Sequence, residues 1–441
     1  MRDMTSGDIS GHILATAVPL ILGNMMQLTY NAADSIIVSK FAGEEALDAV
    51  SVANPVMTFV ILAISGLAIG ATVLMSRLFG SGERARLKKA LSTSVIAGAV
   101  LSLAVLVLGL LASGLMLRAM NVPEAILPQA ELYLKTVFWG FLFTFQYNIM
   151  SGALRAIGDA AIPVWFLGAS CLINVALDAF FVAGCRLGVF GAALATDIAE
   201  GVSAVLCFIY VYRHVPELQL RRADMAIDRG MLREIVRSGS VTALQQACQP
   251  LGKLLIQSVI NTQGLAVISA FNAVCRVDDF ACIPEQSIGH AIMTCTAQNR
   301  GAGRRDRMHE TLRRGVRIAL CYYPIICGAI LLLKAPIMHL FAPAADAEMI
   351  PIGISYLSLK AFFYILPGLT NAIQGWFRGM DHMSVTLVST LIQISLRTLC
   401  VYLLVPRIGM NGEAWGCLVG WSVMAVFEFG YYRRLTRKGV V

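Results

Sequence analysis

The chain has 441 residues, of which 57% are hydrophobic and only 14% charged, and its mean hydropathy is +0.71. Soluble domains carry about 25% charged residues, so this composition excludes a water-soluble globular protein and implies an integral membrane protein. The net charge of +8 does not point to nucleic acid, because the basic residues lie in short loops between apolar runs, the distribution that orients membrane helices.

A span needs roughly 20 apolar residues, and twelve such runs are predicted, at about 12–39, 50–76, 90–117, 131–154, 161–184, 188–212, 238–261, 265–297, 316–340, 350–376, 383–405 and 412–432. The N-terminal MRDMTSGDISGH has no signal-peptide cleavage pattern, and the first run is long enough to be kept as a span. The longest polar stretch, RHVPELQLRRADMAIDRGMLREIVR, separates two sets of six. The expected organisation is a lobe over 1–213, a cytoplasmic linker over 214–237 and a second lobe over 238–441. Most of the 35 Lys and Arg fall on one side of these spans; Lys40, Arg118, Arg186, Lys334 and Arg407 fall on the other. That asymmetry predicts both termini in the cytoplasm. The eleven cysteines include no CxxC pair and sit mostly in apolar runs, as small hydrophobes do.

The two halves resemble each other at an offset of about 220 residues. SRLFGSGERAR (76–86) matches AQNRGAGRRDR (297–307), AVSVANPV (49–56) matches VISAFNAV (267–274), and LGVFGAA (187–193) matches IGMNGEA (408–414). Arg155 in ALRAIGD falls on Arg378 in WFRGMD. Six is an even number, so both halves start on the same side, giving a parallel repeat. The predicted fold is an all-α membrane protein with twelve transmembrane helices in two six-helix bundles, an architecture that transporters use.

The repeat breaks at INVALDAFFV (173–182). Asn174 and Asp178 share one helix face, but their partners in LRTLCVYLLV (396–405) are Arg397 and Val401. The second half keeps the helix without the acid, so Asp178 is not needed merely to build the helix. Span 1 carries a second amide and acid, Asn31 and Asp34, in QLTYNAADSIIVSKF. A charged group at mid-membrane costs about 2.5–3.5 kcal/mol on insertion scales. Proton exchange or a hard cation such as Na+ would justify that cost; a structural hydrogen-bond staple between spans 1 and 5 is the plainer alternative. Pro19 removes one backbone hydrogen bond and lets span 1 bend.

Over essentially its whole length the chain resembles the multidrug and toxic compound extrusion (MATE) family, in its DinF-like branch. The resemblance rests on AVPLILGNMMQLTYNAADSIIVSKFAG, LRAIGDAAIP, INVALDAFFV, GVFGAALAT, AFNAVCRVDDF and AQNRGAG. It implies export of cationic and amphipathic organic compounds by antiport with H+ or Na+. It also implies an ion site in the first lobe, at Asp34, Asn174, Asp178 and Thr196, which would hold H+ or a bound Na+. Tyr133 matches a span 4 tyrosine that would donate to a carboxylate or stack on a cationic ligand, with an interfacial tyrosine as the alternative. Pro19 matches a proline associated with bending of span 1. The acids that another branch carries in spans 7 and 10 are absent, and Lys253 and Lys360 stand in those spans instead.

Arg276 and Asp279 of RVDDF are spaced to pair on one helical face, with a ligand-facing role or a buried charge network including Arg397 or Lys253 as the two readings. Asp197 and Glu200 are expected near the start of span 6, at a cavity mouth or in headgroup water. No GxSxG, Walker or HExxH pattern occurs, so no enzyme and no cofactor beyond the coupling ion are expected. The expected partners are small organic cations and membrane lipids, with no nucleic acid, for a monomer in the bacterial plasma (inner) membrane. The competing function is a lipid-linked oligosaccharide or lipid flippase of the related superfamily, whose pyrophosphate would need Lys253, Arg276, Lys360 and Arg397. A membrane-embedded glycosyltransferase would want sizeable outer loops, and a channel fits a two-lobe repeat poorly.

Overall fold

A computed structural model describes residues 2–221, 224–341 and 348–439. Among these the chain forms twelve long helices and no strand. They are α1 (Ile9–Ala42), α2 (Glu44–Gly80), α3 (Arg84–Ala119), α4 (Leu127–Ala156), α5 (Ala161–Gly184), α6 (Gly188–His214), α7 (Arg229–Ile260), α8 (Leu265–Gly301), α9 (Arg305–Phe341), α10 (Met349–Gly379), α11 (Met383–Ile408) and α12 (Asn411–Arg437). Each covers one predicted span, and most run several residues beyond it. A single 3-10 turn, Phe362–Tyr364, interrupts α10. Eight of the described helices are long and apolar enough to cross a membrane on their own composition. The other four, α4, α7, α8 and α12, are as long but carry more polar residues. The protein is a multi-pass membrane protein, and side chains such as Leu111 and Leu332, 80% and 82% exposed, belong to the surface that lipid covers.

Two of the turns between these helices close on a glycine in the left-handed region. Gly82 has φ +76°, and the N–H groups of Gly82 and Glu83 bond back to the carbonyls of Phe79 and Leu78. Gly303, φ +69°, repeats the motif, with Gly303 and Arg304 donating to Arg300 and Asn299. This paired left-handed cap explains why GSGER and GAGRR recur at equivalent places. Gly82→Ala and Gly303→Ala are each expected to lower stability by about 1 kcal/mol, the penalty for an L-residue in this region. The midpoint of reversible detergent denaturation checks this.

Contacts divide the chain into two compact units, Met1–Asp3 with Pro19–Ala243 and Met4–Val18 with Leu244–Val441. In the first, α3 and α4 pack closely because Gly98 and Gly109 leave room for the rings of Phe145 and Phe138. In the second, α8 and α10 meet backbone to backbone at Gly289 and Gly375.

The division differs from the expected lobes of 1–213 and 238–441. The predicted linker is docked on the first unit: Val215 and Leu218 are buried in its core. The N–H groups of Ala226 and Asp228 donate to Ser92 and Thr93, each at 3.0 Å. Arg77 pairs with Glu234 at 2.7 Å. The boundaries fall inside α1, at Pro19, and inside α7, after Ala243.

Candidate functional site: a carboxylate-lined cavity in the first unit

The first unit encloses a cavity of about 530 Å³. On α1 its lining comes from Asn24, Gln27, Asn31 and Asp34, spaced three or four residues apart and so on one face. On α4 a similar stripe runs from Tyr133 through Gly140 and Thr144 to Tyr147, and α6 contributes Thr196, Asp197 and Glu200. Among the described residues no lysine, arginine or histidine lines it.

Asp178 and Asn174 sit behind this wall on α5, 0% and 2% exposed. The Asp178 and Asp34 carboxyls lie within hydrogen-bonding reach of one another. Asp178 is the last residue of regular α-helix in α5; a wider π-helical segment, Ala179–Gly184, follows it, an irregularity that often marks functional positions. With the Asn174 amide turned to satisfy both its ends, its N–H donates to Asp178 Oδ2 at 3.2 Å and its carbonyl accepts from the Thr196 N–H at 3.3 Å. Thr196 Oγ1 donates to the Ala192 carbonyl at 3.1 Å. One oxygen of each acid, Asp34 Oδ1 and Asp178 Oδ1, is buried without a hydrogen-bond partner.

The four residues expected to form an ion site, Asp34, Asn174, Asp178 and Thr196, are thus neighbours. Two carboxylates in contact cannot both stay ionised without a proton or cation between them, and the amide and hydroxyl oxygens beside them suit a hard ion. Among the described residues no cluster of three or more His, Cys, Asp or Glu offers a transition-metal site.

Tyr133 is 5% exposed and lines the cavity. Asn31 also lines it, whereas Pro19 lies outside the lining. Of the two readings of Asp197 and Glu200, the structure favours the cavity over headgroup water: Asp197 lies farther inside α6 than expected and is 8% exposed, and both line the cavity. Sequence reading passed over Asn24, Gln27 and Tyr30, although their spacing from Asp34 in NMMQLTYNAAD carried the signal.

Arg276 and Asp279 are exposed on α8, and no ion pair joins them among the described residues. The second unit's buried charges gather instead around Asp278. Lys360, 1% exposed, pairs with Asp278, donates to Tyr356 at 3.1 Å and lies 3.9 Å from Glu413. Glu413, fully buried, accepts from Arg397 Nε at 3.0 Å and from Tyr356 and Cys417. Tyr364 closes the set on Asp278. The network does include Arg397, as expected, and it takes Asp278 where Asp279 was expected. By the repeat, Tyr356 stands where the first unit has Tyr133, and Arg397 where it has Asn174. Glu285, 1% exposed, is a further buried acid on α8, with Oε2 unpartnered.

Twelve helices, an internal repeat and a polar cavity inside one repeat define a polytopic transporter class. Comparison with known proteins then fixes the family. The MatE family model matches residues 19–180 and 242–403, one copy in each half, and the chain belongs to that family. It is 29% identical to "Probable multidrug resistance protein YpnP" of Bacillus subtilis, over 98% of this chain and 96% of that protein. It is 23% identical to an "FAD transporter" of Shewanella oneidensis, over 77% and 76%. A solved structure described as an "Outward-facing conformation of a multidrug resistance MATE family transporter of the MOP superfamily" superposes with a TM-score of 0.92 at 22% identity, covering 99% of this chain and 98% of that one.

Proposed function

We propose that this protein is a secondary active multidrug efflux transporter that exports cationic and amphipathic organic compounds by antiport with H+ or Na+. The observation that carries the reading is the contact between Asp34 and Asp178, with one unpartnered buried oxygen on each and no basic side chain in the cavity lining. The ion enters between these acids, with Asn174 and Thr196 completing its oxygen shell. Its arrival neutralises the pair, α1 bends at Pro19, the cavity contracts and the organic cation leaves. Release of the ion on the other side restores the charged pair and the affinity for the next substrate. Tyr133 and Asn31 contact the substrate. The protein works as a monomer in the plasma membrane of a bacterium, with both termini cytoplasmic and lipid around its apolar surface.

The flippase reading asks for free basic residues to hold a pyrophosphate. Of the four it would use, Lys360 and Arg397 are already paired with Asp278 and Glu413, which leaves only Lys253 and Arg276 and counts against it. An anionic substrate such as FAD likewise finds carboxylates, not bases, in the cavity of the first unit.

The test uses the purified chain in liposomes loaded with a fluorescent organic cation, with a Na+ or a pH gradient imposed separately at clamped potential. Movement driven by one gradient supports antiport and names the ion; no movement under either overturns the proposal. Thr196→Ala is expected to weaken ion binding by a few fold only, because one neutral oxygen is lost and both acids remain; unchanged ion affinity removes Thr196 from the shell.

A further inference from the structure

We infer that Asp197 and Glu200 form a second carboxylate pair, separate from Asp34 and Asp178, which anchors the positive group of the exported organic cation. The inference rests on the reading of the chain as an organic-cation exporter and assigns residues to the substrate half of that exchange.

The two acids are three residues apart on α6, hence on one face, and both line the cavity. Asp197 is 8% exposed. Its Oδ1 lies over the bare backbone of Gly140, where a Cβ would fall 2.0 Å from it, so the glycine makes the room that this carboxyl occupies. Glu200 Oε2 is fully buried and has no hydrogen-bond partner. Among the described residues no ion pair reaches either carboxyl, Asp197 is met by the backbone of Gly140, and no basic side chain lines the cavity. Buried carboxylates are strongly disfavoured unless a proton or a counter-charge neutralises them, and a positively charged ligand in the cavity supplies that counter-charge.

A bare ion does not account for the space. A volume of about 530 Å³ falls in the range that holds organic ligands, roughly 300–1,000 Å³. The aromatic residues Tyr30, Tyr133 and Tyr147 line the same cavity, and ring faces attract organic cations. The hydrogen-bonding contact of Asp34 is with Asp178, which leaves Asp197 and Glu200 to the substrate while the first pair holds the coupling ion.

Equilibrium binding of tetraphenylphosphonium and of tetraphenylborate, ions of one shape and opposite charge, to the purified full chain tests this. The wild type is expected to prefer the cation. The isosteric double variant Asp197→Asn with Glu200→Gln is expected to lose roughly tenfold or more in affinity for the cation, narrowing the preference over the anion while its thermal unfolding midpoint holds. Either single variant gives the same readout if the double variant does not fold. A wild type that prefers the cation and variants that keep the full preference overturn this inference and leave the exporter reading standing. A wild type that does not distinguish the two ions overturns both.

Discussion

Asp178→Asn is expected to abolish gradient-driven efflux while leaving the protein folded. The substitution keeps the shape of the side chain and its place beside Asn174, so the packing of α5 survives. It removes the charge that a proton or Na+ neutralises. An amide beside Asp34 can also donate to that carboxyl directly, which satisfies the pair without any ion and leaves nothing for a gradient to act on. In liposomes carrying a fluorescent organic cation, efflux under the coupling gradient falls to the level of protein-free vesicles. The thermal unfolding midpoint stays within a few degrees of wild type. Normal efflux by the variant would remove Asp178 from the coupling machinery and return the Asp34–Asp178 contact to a structural role.

Glu413→Gln in the second unit is expected to do the opposite: it costs stability and spares coupling. Glu413 is fully buried and shared between Arg397 and Lys360. Removing its charge leaves the Arg397 guanidinium without an anion and Lys360 with Asp278 alone. Breaking a buried pair in this way costs about 3–5 kcal/mol, a large share of a typical folding free energy. Detergent denaturation should show a correspondingly lower midpoint and lower recovery of folded protein. The molecules that do fold should still move the organic cation under the gradient. A variant of normal stability that no longer couples would place ion exchange in the second unit and overturn the division of labour argued above.

The helices were readable because a bilayer leaves few choices: a long apolar run between charged turns becomes a spanning helix whatever it packs against. The duplication was readable because its glycine turns need glycine for a backbone reason, and that reason acts at both Gly82 and Gly303. Asp34 and Asp178 stood out as acids in hydrocarbon, and the structure makes them neighbours. Harder to see was which face a polar residue would take. Adjacent positions on a helix point about 100° apart, so choosing Asp279 over Asp278 moved the charge from a buried network to an exposed face. The sequence leaves Asp197 between a cavity mouth and headgroup water, because nothing in its own segment records Gly140, the residue on α4 that admits it. The edges of the compact units were also hidden: polar composition marked 214–237 as a linker, while the hydroxyls of Ser92 and Thr93, far away in sequence, dock it to the first unit.

The closed charge network of the second unit also bears on ancestry. Two copies of one sequence began with the same prospects, and they have since lost their interchangeability. Placing an acid at Val401 would not reproduce the pair of the first copy, because Arg397 stands where its companion amide would be and Lys360 holds a neighbouring carboxylate. Converting the second site into the first needs several substitutions at once, with unpaired buried charge at the intermediates. The asymmetry of the two halves is therefore entrenched, and selection for altered drug resistance has its shortest paths in the first copy.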